Sequence, residues 1–355
     1  MHARRRLGFE IRLPVIQAPM AGSGINTPQL AAAVSNAGGL GSVATAYLSV
    51  PQVEQAIRQV RELTQKPFAV NLFAPSAREA LTGNVESQIR LLAPIHQRLG
   101  LGSPVLPKQV NEPFQELVEL LISLHISIVS FTFGILPKDT LERFKAEGAY
   151  LMGTATTVGE AKLLQSAGVD AVIAQGSESG GHRGSFSSSS PSLVGTMALV
   201  PQMVDALQIP VIASGGIMDG RGIVAALALG ASAVQMGTAF LTCAESGAPE
   251  VYKQAVLDAA DDSTALTRAF SGRWARGIRN EFMEQSEQAE SEPISFPWQN
   301  ALTRDMRSTA AKTGEKELLS LWAGQGTRMA RRMAASELMA ALESEIHNTR
   351  ISLTE

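Results

Sequence analysis

His182 lies in a short run, AQGSESGGHRG (174–184), that also holds Gln175, Glu178, the Gly180–Gly181 pair and Arg183. Imidazole changes charge near neutral pH, so it can serve as a base, an acid or an anion-binding cation. The glycines allow positive φ and let a ligand approach the backbone closely. An apolar run, Ala171–Ala174, feeds into this loop as a buried strand would. Taken alone, the segment reads equally well as a flexible surface loop continuing into the polar run FSSSS (186–190).

Further polar residues interrupt apolar runs along the rest of the chain: Asn71, Thr132, Gly215–Gly216, and Gly237–Thr238. Backbone N–H groups after the last two strands of a βα repeat make a phosphate site, although glycines there also serve tight packing. No metal site is expected. His2, His96, His125 and His347 are scattered, and none has a ligand spacing with Cys or carboxylates. Ser177 and Ser179 are too generic to name as nucleophiles. A phosphate site and a histidine without a metal point to a bound organic cofactor that does the difficult chemistry.

The elements that must position these residues are legible as an alternation. Apolar runs at Val15–Pro19, Leu40–Thr45, Phe68–Phe73, Ile126–Phe133, Tyr150–Thr154, Ala171–Gln175, Val211–Gly216 and Ala233–Phe240 read as strands. Amphipathic stretches between them read as helices; Val53, Ile57 and Val60, for example, share one face. Thr27-Pro28 has the form of an N-cap followed by proline at the first helical position. Near-continuous apolar strands fit a parallel sheet buried on both faces. Eight strand–helix units favour a TIM (β/α)8 barrel, whose ligand sits at the C-terminal ends of the strands, where the polar residues cluster. The expected organisation is a barrel over 1–243 with an insertion near 74–112 that breaks the rhythm. A smaller helical cap over 244–326 and a C-terminal helix within 327–355, packing on the barrel, complete it.

Bulk properties narrow the class. Net charge is −3, without a long basic block, so nucleic acid is not expected as a partner. Cys243 is the single cysteine, which precludes an intrachain disulfide and fits a reducing compartment. The basic start lacks the apolar core of a signal peptide. The apolar stretch Ile223–Leu241 is broken by Gly230, Ser232, Gln235 and Gly237, and reads as a helix and strand rather than a membrane span. A soluble, cytoplasmic protein is expected.

Four motifs in order, PVIQAPMAG (14–22), VSFTFG (129–134), AQGSESGGHRG (174–184) and LWAGQG (321–326), resemble class I nitronate monooxygenases, formerly called 2-nitropropane dioxygenases. The resemblance runs from about residue 8 to residue 330. It implies FMN, a TIM barrel with a smaller helical domain, and oxidation of alkyl nitronates by O2 to a carbonyl compound and nitrite or nitrate. Propionate 3-nitronate is the expected substrate. FMN is then expected at Ala18, Pro19, Met20, Asn71, Gln175, Gly180, Gly181, Gly215, Gly216, Gln235, Met236, Gly237 and Thr238, with His182 as the catalytic residue.

Arg183, Thr132 and Trp298 are the expected substrate contacts. Arg183 has an equal alternative as a loop anchor through a carboxylate such as Glu178. His182 could attract the anion as a cation, or deprotonate a neutral nitroalkane with a pKa near the operating pH. Two departures from the family pattern stand out. Ser179 replaces an alanine, and the segment 296–307 carries Phe296 and Trp298 where the family often has tyrosines. The nitronate and O2 are the expected small-molecule partners, and a homodimer is left open. The competing readings are an FMN-dependent, NADH-using enoyl or quinone reductase of the same fold, and a non-catalytic flavin- or phosphate-binding barrel.

Overall fold

The computed structural model describes residues 5–22, 24–75, 80–110, 113–186 and 190–353. Ser187–Ser189 of the Ser-rich run and parts of the 74–112 insertion lie outside these residues. The parallel strands are β1 (Val15–Gln17), β2 (Gly41–Ala44), β3 (Phe68–Phe73), β4 (Ile128–Thr132), β5 (Tyr150–Ala155) and β6 (Ala171–Gln175). After a two-residue strand β7 (Gly181–His182) that leaves the sheet, β8 (Val211–Ser214) and β9 (Ala233–Met236) complete it. Their order is β1-β9-β8-β6-β5-β4-β3-β2, and an Ile16–Leu40 bridge joins the two ends. The result is a TIM barrel.

Side chains alternate across each strand, so every second residue points into the barrel. The lower inward positions are apolar: Ile16, Leu40, Ala69, Ile128, Met152, Ala171, Ile212 and Ala233 pack together with Ile173. Leu7, Phe9 and Ile11 close this end from below, with Phe9 edge-on to Tyr150 at 5.2 Å. Toward the C-terminal ends the inward positions turn polar, with Asn71, Ser130, Thr132, Thr154, Gln175, Ser214 and Gln235. The barrel is therefore sealed at one end and furnished with hydrogen-bonding groups at the other.

The outward strand residues and the helices form the main core. The first helix, Pro28–Asn36, is capped as expected: the Thr27 hydroxyl accepts from the Leu30 N–H at 3.0 Å, and Pro28 fills the first turn. Gly41 lets β2 lie directly on that helix, because a Cβ there would overlap the Ala31 carbonyl. The helix Ala335–Ser352 packs between Gly220–Ala228 and Pro28–Asn36, taking the place of the eighth barrel helix. Its Glu345 carboxylate accepts from the Gly220 N–H at 2.9 Å and pairs with Arg331 at 2.5 Å.

A second apolar core lies beside the barrel mouth, built around Tyr252, Phe270, Phe282, Leu302 and Met306. Leu92 and Ile95, from the helix Val85–Arg98 in the insertion, belong to this core rather than to the barrel's. The cap is mostly helical but not wholly so. The segment also contains β10 (Thr264–Thr267) and β11 (Ala275–Ile278), which pair antiparallel, and β11 pairs with β7. The loop carrying His182 is thus stitched into the cap, with His182 opposite Ala275. The acidic run after Asn280 is a solvated face, whose Glu284 and Glu287 pair with Arg279. No helix among the described residues is long and apolar enough to cross a membrane.

Candidate active site

One cavity opens at the C-terminal ends of the barrel strands, between barrel and cap. Ala18, Pro19 and Met20 line it from the segment after β1. Asn26 holds that segment, accepting from the Met20 N–H at 3.1 Å and donating to the Ser42 carbonyl at 2.5 Å. Asn71, Thr132, Gln175 and Gln235 enter from strand ends. Asn71 is oriented by a 3.0 Å bond to the Ser130 hydroxyl. Gln175 uses both ends of its amide within the chain, donating to the His182 carbonyl at 3.0 Å and accepting from the Gly184 N–H at 2.8 Å.

Gly215 and Gly216, with φ of +116° and +72°, follow β8 and turn the backbone toward the cavity. A Cβ on Gly215 would lie 2.5 Å from the Ser179 hydroxyl. Met236, Gly237 and Thr238 line the same side after β9. The Thr238 hydroxyl accepts from the Gly324 N–H at 2.9 Å, which brings the 321–326 motif onto this loop. Gly180 completes the contact, since a Cβ there would lie 2.5 Å from the Ala323 carbonyl carbon. At Gly181 (φ +74°), by contrast, an added Cβ would meet nothing within 4 Å. Every residue expected at the cofactor therefore borders one cavity.

The set fits a flavin nucleotide on structural grounds. Glycines whose added Cβ would crowd the loop flank a backbone cradle, amide side chains project inward from the strand ends, and open space adjoins Gly181. Among the described residues, no group of three or more His, Cys, Asp or Glu could hold a metal ion.

His182 lines the cavity and its Nε2 meets the Ser271 hydroxyl at 2.8 Å. Phe133, Trp322 and Phe296 surround its ring at centroid distances of 5.8, 5.6 and 6.2 Å. Burial, and then the nearby Arg273 and Arg307 guanidinium groups, push its pKa from 6.5 down to about 3. A ring held neutral in this way fits the proton-acceptor alternative rather than the imidazolium one.

Arg183 is a correction to the expected substrate contacts. It is 1% exposed and does not line the cavity. Its guanidinium donates to the carbonyls of Gly176 (2.6 Å), Gln175 (3.0 Å) and Ser192 (3.2 Å). It is a loop anchor, though through carbonyls rather than through Glu178. That carboxylate instead accepts from the Thr196 N–H and hydroxyl at 2.9 Å. Consecutive residues at a strand point to opposite faces, so a chain that aims His182 into the cavity turns Arg183 away.

Trp298 also falls outside the cavity, packed against the second core; Phe296 does reach the aromatic wall near His182. Residues that the sequence reading missed line the cavity in their stead. Arg307 lines the cavity, its guanidinium donating to the Asn300 carbonyl (2.7 Å) and side-chain oxygen (2.8 Å). Burial lowers its pKa to about 10, so it stays charged at neutral pH. The phenols not found near 296–307 come from elsewhere, as Tyr47 and Tyr252. The Tyr252 hydroxyl donates to the Trp322 carbonyl at 2.6 Å. Tyr47 and Phe133 adopt positive φ (69° and 71°), a costly conformation for bulky residues that recurs at functional sites. Arg307 and Trp322 stood inside motifs already singled out, and Tyr47 follows a strand end; Ser271 carried no signal.

A TIM barrel with this mouth suits an enzyme that holds an organic cofactor, and comparison with known proteins gives the family. Residues 6–345 match the family model described as nitronate monooxygenase. Proteins described as probable nitronate monooxygenase from Staphylococcus aureus (strain Newman) and Staphylococcus haemolyticus are 44% and 46% identical to this chain. The matches cover 96% of this chain and of the first protein, and 95% of this chain and of the second. A nitroalkane oxidase structure from Streptomyces ansochromogenes matches with a TM-score of 0.90 at 40% identity, covering 97% of this chain and 98% of that one. FabK from Thermotoga maritima is more distant, with a TM-score of 0.75 at 30% identity over 97% and 96%. The chain belongs to the nitronate monooxygenase family and is a flavin-dependent oxidoreductase.

Proposed function

We propose that the cavity binds FMN and that the enzyme oxidises alkyl nitronates with O2, giving a carbonyl compound and nitrite or nitrate. Propionate 3-nitronate is the favoured substrate, and the cytoplasm the working compartment. The observation that carries this reading is the convergence of the glycine cradle, the amide side chains, His182 and Arg307 on one cavity. The backbone of Gly215, Gly216, Gly237 and Thr238 would take the phosphate, and Asn71, Gln175 and Gln235 would hydrogen-bond the ring. When bound, the flavin supplies the electron acceptor that no side chain here provides.

The chain's own residues bind, orient and shield the substrate. Arg307 is the cavity's buried cation, suited to a nitronate or to the carboxylate of propionate 3-nitronate. His182, neutral and hemmed by aromatic rings, offers a lone pair that can take the α-proton of a neutral nitroalkane. Phe133, Phe296 and Trp322 keep water from the ring and strengthen the electrostatics of the pocket.

The test is the visible spectrum of the purified protein, with anaerobic addition of propionate 3-nitronate and, separately, NADH. Prompt bleaching by the nitronate and none by NADH is expected. Bleaching by NADH alone would move the protein to the reductases that the FabK likeness represents. A colourless protein that cannot be loaded with FMN would refute both.

A further inference from the structure

We propose that Ser271 is a positioning residue for His182: its hydroxyl accepts the imidazole Nε2–H and leaves Nδ1 as the ring's free lone pair. The argument is one of donors and acceptors. The Ser271 oxygen makes three contacts, to His182 Nε2 at 2.8 Å, the Arg273 carbonyl at 3.1 Å and the Arg273 N–H at 3.2 Å. A serine hydroxyl has one proton and two lone pairs. The Arg273 N–H can only donate, so it takes one lone pair. The Arg273 carbonyl can only accept, so it takes the proton. One lone pair remains, and it is satisfied only if Nε2 carries a hydrogen. The reverse orientation, with Ser271 donating to Nε2, gives up the carbonyl contact.

Three further observations support the assignment. Ser271 is 1% exposed, so water does not compete for its hydroxyl. The next residue, Gly272 (φ +82°), packs so closely on the 294–296 backbone that a Cβ would overlap the Ile294 carbonyl; the turn holding Ser271 has no room to shift. Nδ1 takes no hydrogen bond from a described residue, and burial, followed by the charged groups facing the ring, Arg273 and Arg307, holds it in the neutral form in which a tautomer is defined. A proton acceptor on His182 would then be Nδ1, with Ser271 acting on the reaction only through the ring.

The inference rests on His182 serving as the base of the proposed function, but its first test does not depend on turnover. In the 15N-histidine-labelled holoenzyme, long-range 1H–15N correlation spectra distinguish the two neutral tautomers, and the His182 signals are those lost in His182→Asn. The expected wild-type pattern is protonated Nε2 and bare Nδ1. Ser271→Ala should convert it to a mixture of tautomers, and Ser271→Thr, which keeps the hydroxyl, should preserve it. A wild-type Nδ1–H pattern would overturn the proposal, and so would an Ser271→Ala spectrum unchanged from wild type.

Activity supplies a second readout. Ser271→Ala should lower kcat/KM for a neutral nitroalkane by about 10-fold, the low end of what losing an orienting partner costs at metal-bound histidines. Turnover of the pre-formed nitronate, which needs no proton removed, should fall far less. Equal losses on both substrates would overturn the positioning role. Failure of wild type to use any neutral nitroalkane would instead strike the base role, while the spectra still decide the tautomer.

Discussion

Arg183→Lys separates two roles that the sequence left equal. Lysine keeps the positive charge but replaces a planar fork by a point donor, which cannot span the Gly176, Gln175 and Ser192 carbonyls together. Losing two of these charge-assisted bonds at about 1.5 kcal/mol each costs about 3 kcal/mol. Unfolding entropy near ~2.1 cal/mol/K per residue gives a chain of this length about 0.75 kcal/mol/K, so the melting temperature should fall by about 4 °C. Flavin should also be held less tightly, because Gln175 and Gly176 frame the cradle. The KM for a nitronate should stay within a few-fold of wild type, since the side chain does not reach the cavity. Thermal melts followed by flavin fluorescence, with steady-state kinetics at two ionic strengths, would measure both. An unchanged melt with a large, salt-sensitive rise in KM would place Arg183 on the substrate and refute the anchor.

Other perturbations probe the rest of the site. His182→Asn should keep the yellow flavin and lower kcat/KM for a neutral nitroalkane by about 100-fold or more; unchanged kinetics would remove His182 from the mechanism. Because the native His182 pKa lies near 3 and its unfolded value near 6.5, only the unfolded state gains this proton between those limits. Its contribution to stability is thus complete above about pH 6.5 and is lost as pH falls toward 3, and His182→Asn should flatten the melting-temperature slope across that window. Gly215→Ala forces a Cβ against the Ser179 hydroxyl at φ +116° and should yield protein that loses flavin on gel filtration; a stable, fully loaded variant would count against the cradle. Arg307→Met should raise the KM for propionate 3-nitronate about 30-fold, equivalent to ~2 kcal/mol of a charged hydrogen bond, and that for ethyl nitronate much less. Equal effects on the two would deny a carboxylate contact.

The strands were legible because both their faces are buried, which leaves runs such as Ala171–Ala174 with little room for polar residues. The polar strand ends were legible for the complementary reason: Asn71 and Gln175 break such runs only where the barrel opens. The cap's sheet was not. β7 is two residues long, and its partner Ala275 lies far along the chain, so no local period announces it. That hidden pairing also decided the Arg183 question, since adjacency to His182 suggests shared work while strand geometry puts the two on opposite faces. Arg307 was hidden differently. Its segment was recognised, but helical phase and the cap's packing determine which of its side chains reaches the cavity, and those depend on Leu302 and Met306 meeting a core assembled from the insertion.

The order in which the ribosome delivers these pieces has a consequence of its own. The seam of the barrel is the Ile16–Leu40 bridge, and the helix packed near it, Ala335–Ser352, comes from far later in the chain. The cradle side is equally late, because Gly180 and Thr238 are completed by Ala323 and Gly324. A chain that has not yet reached Ala323 would hold β1 between Leu40 and β9 but leave the Gly180 and Thr238 loops without their partners. Flavin is therefore expected to load only after that segment has closed on the mouth, and until then the loops lie open to non-native contacts.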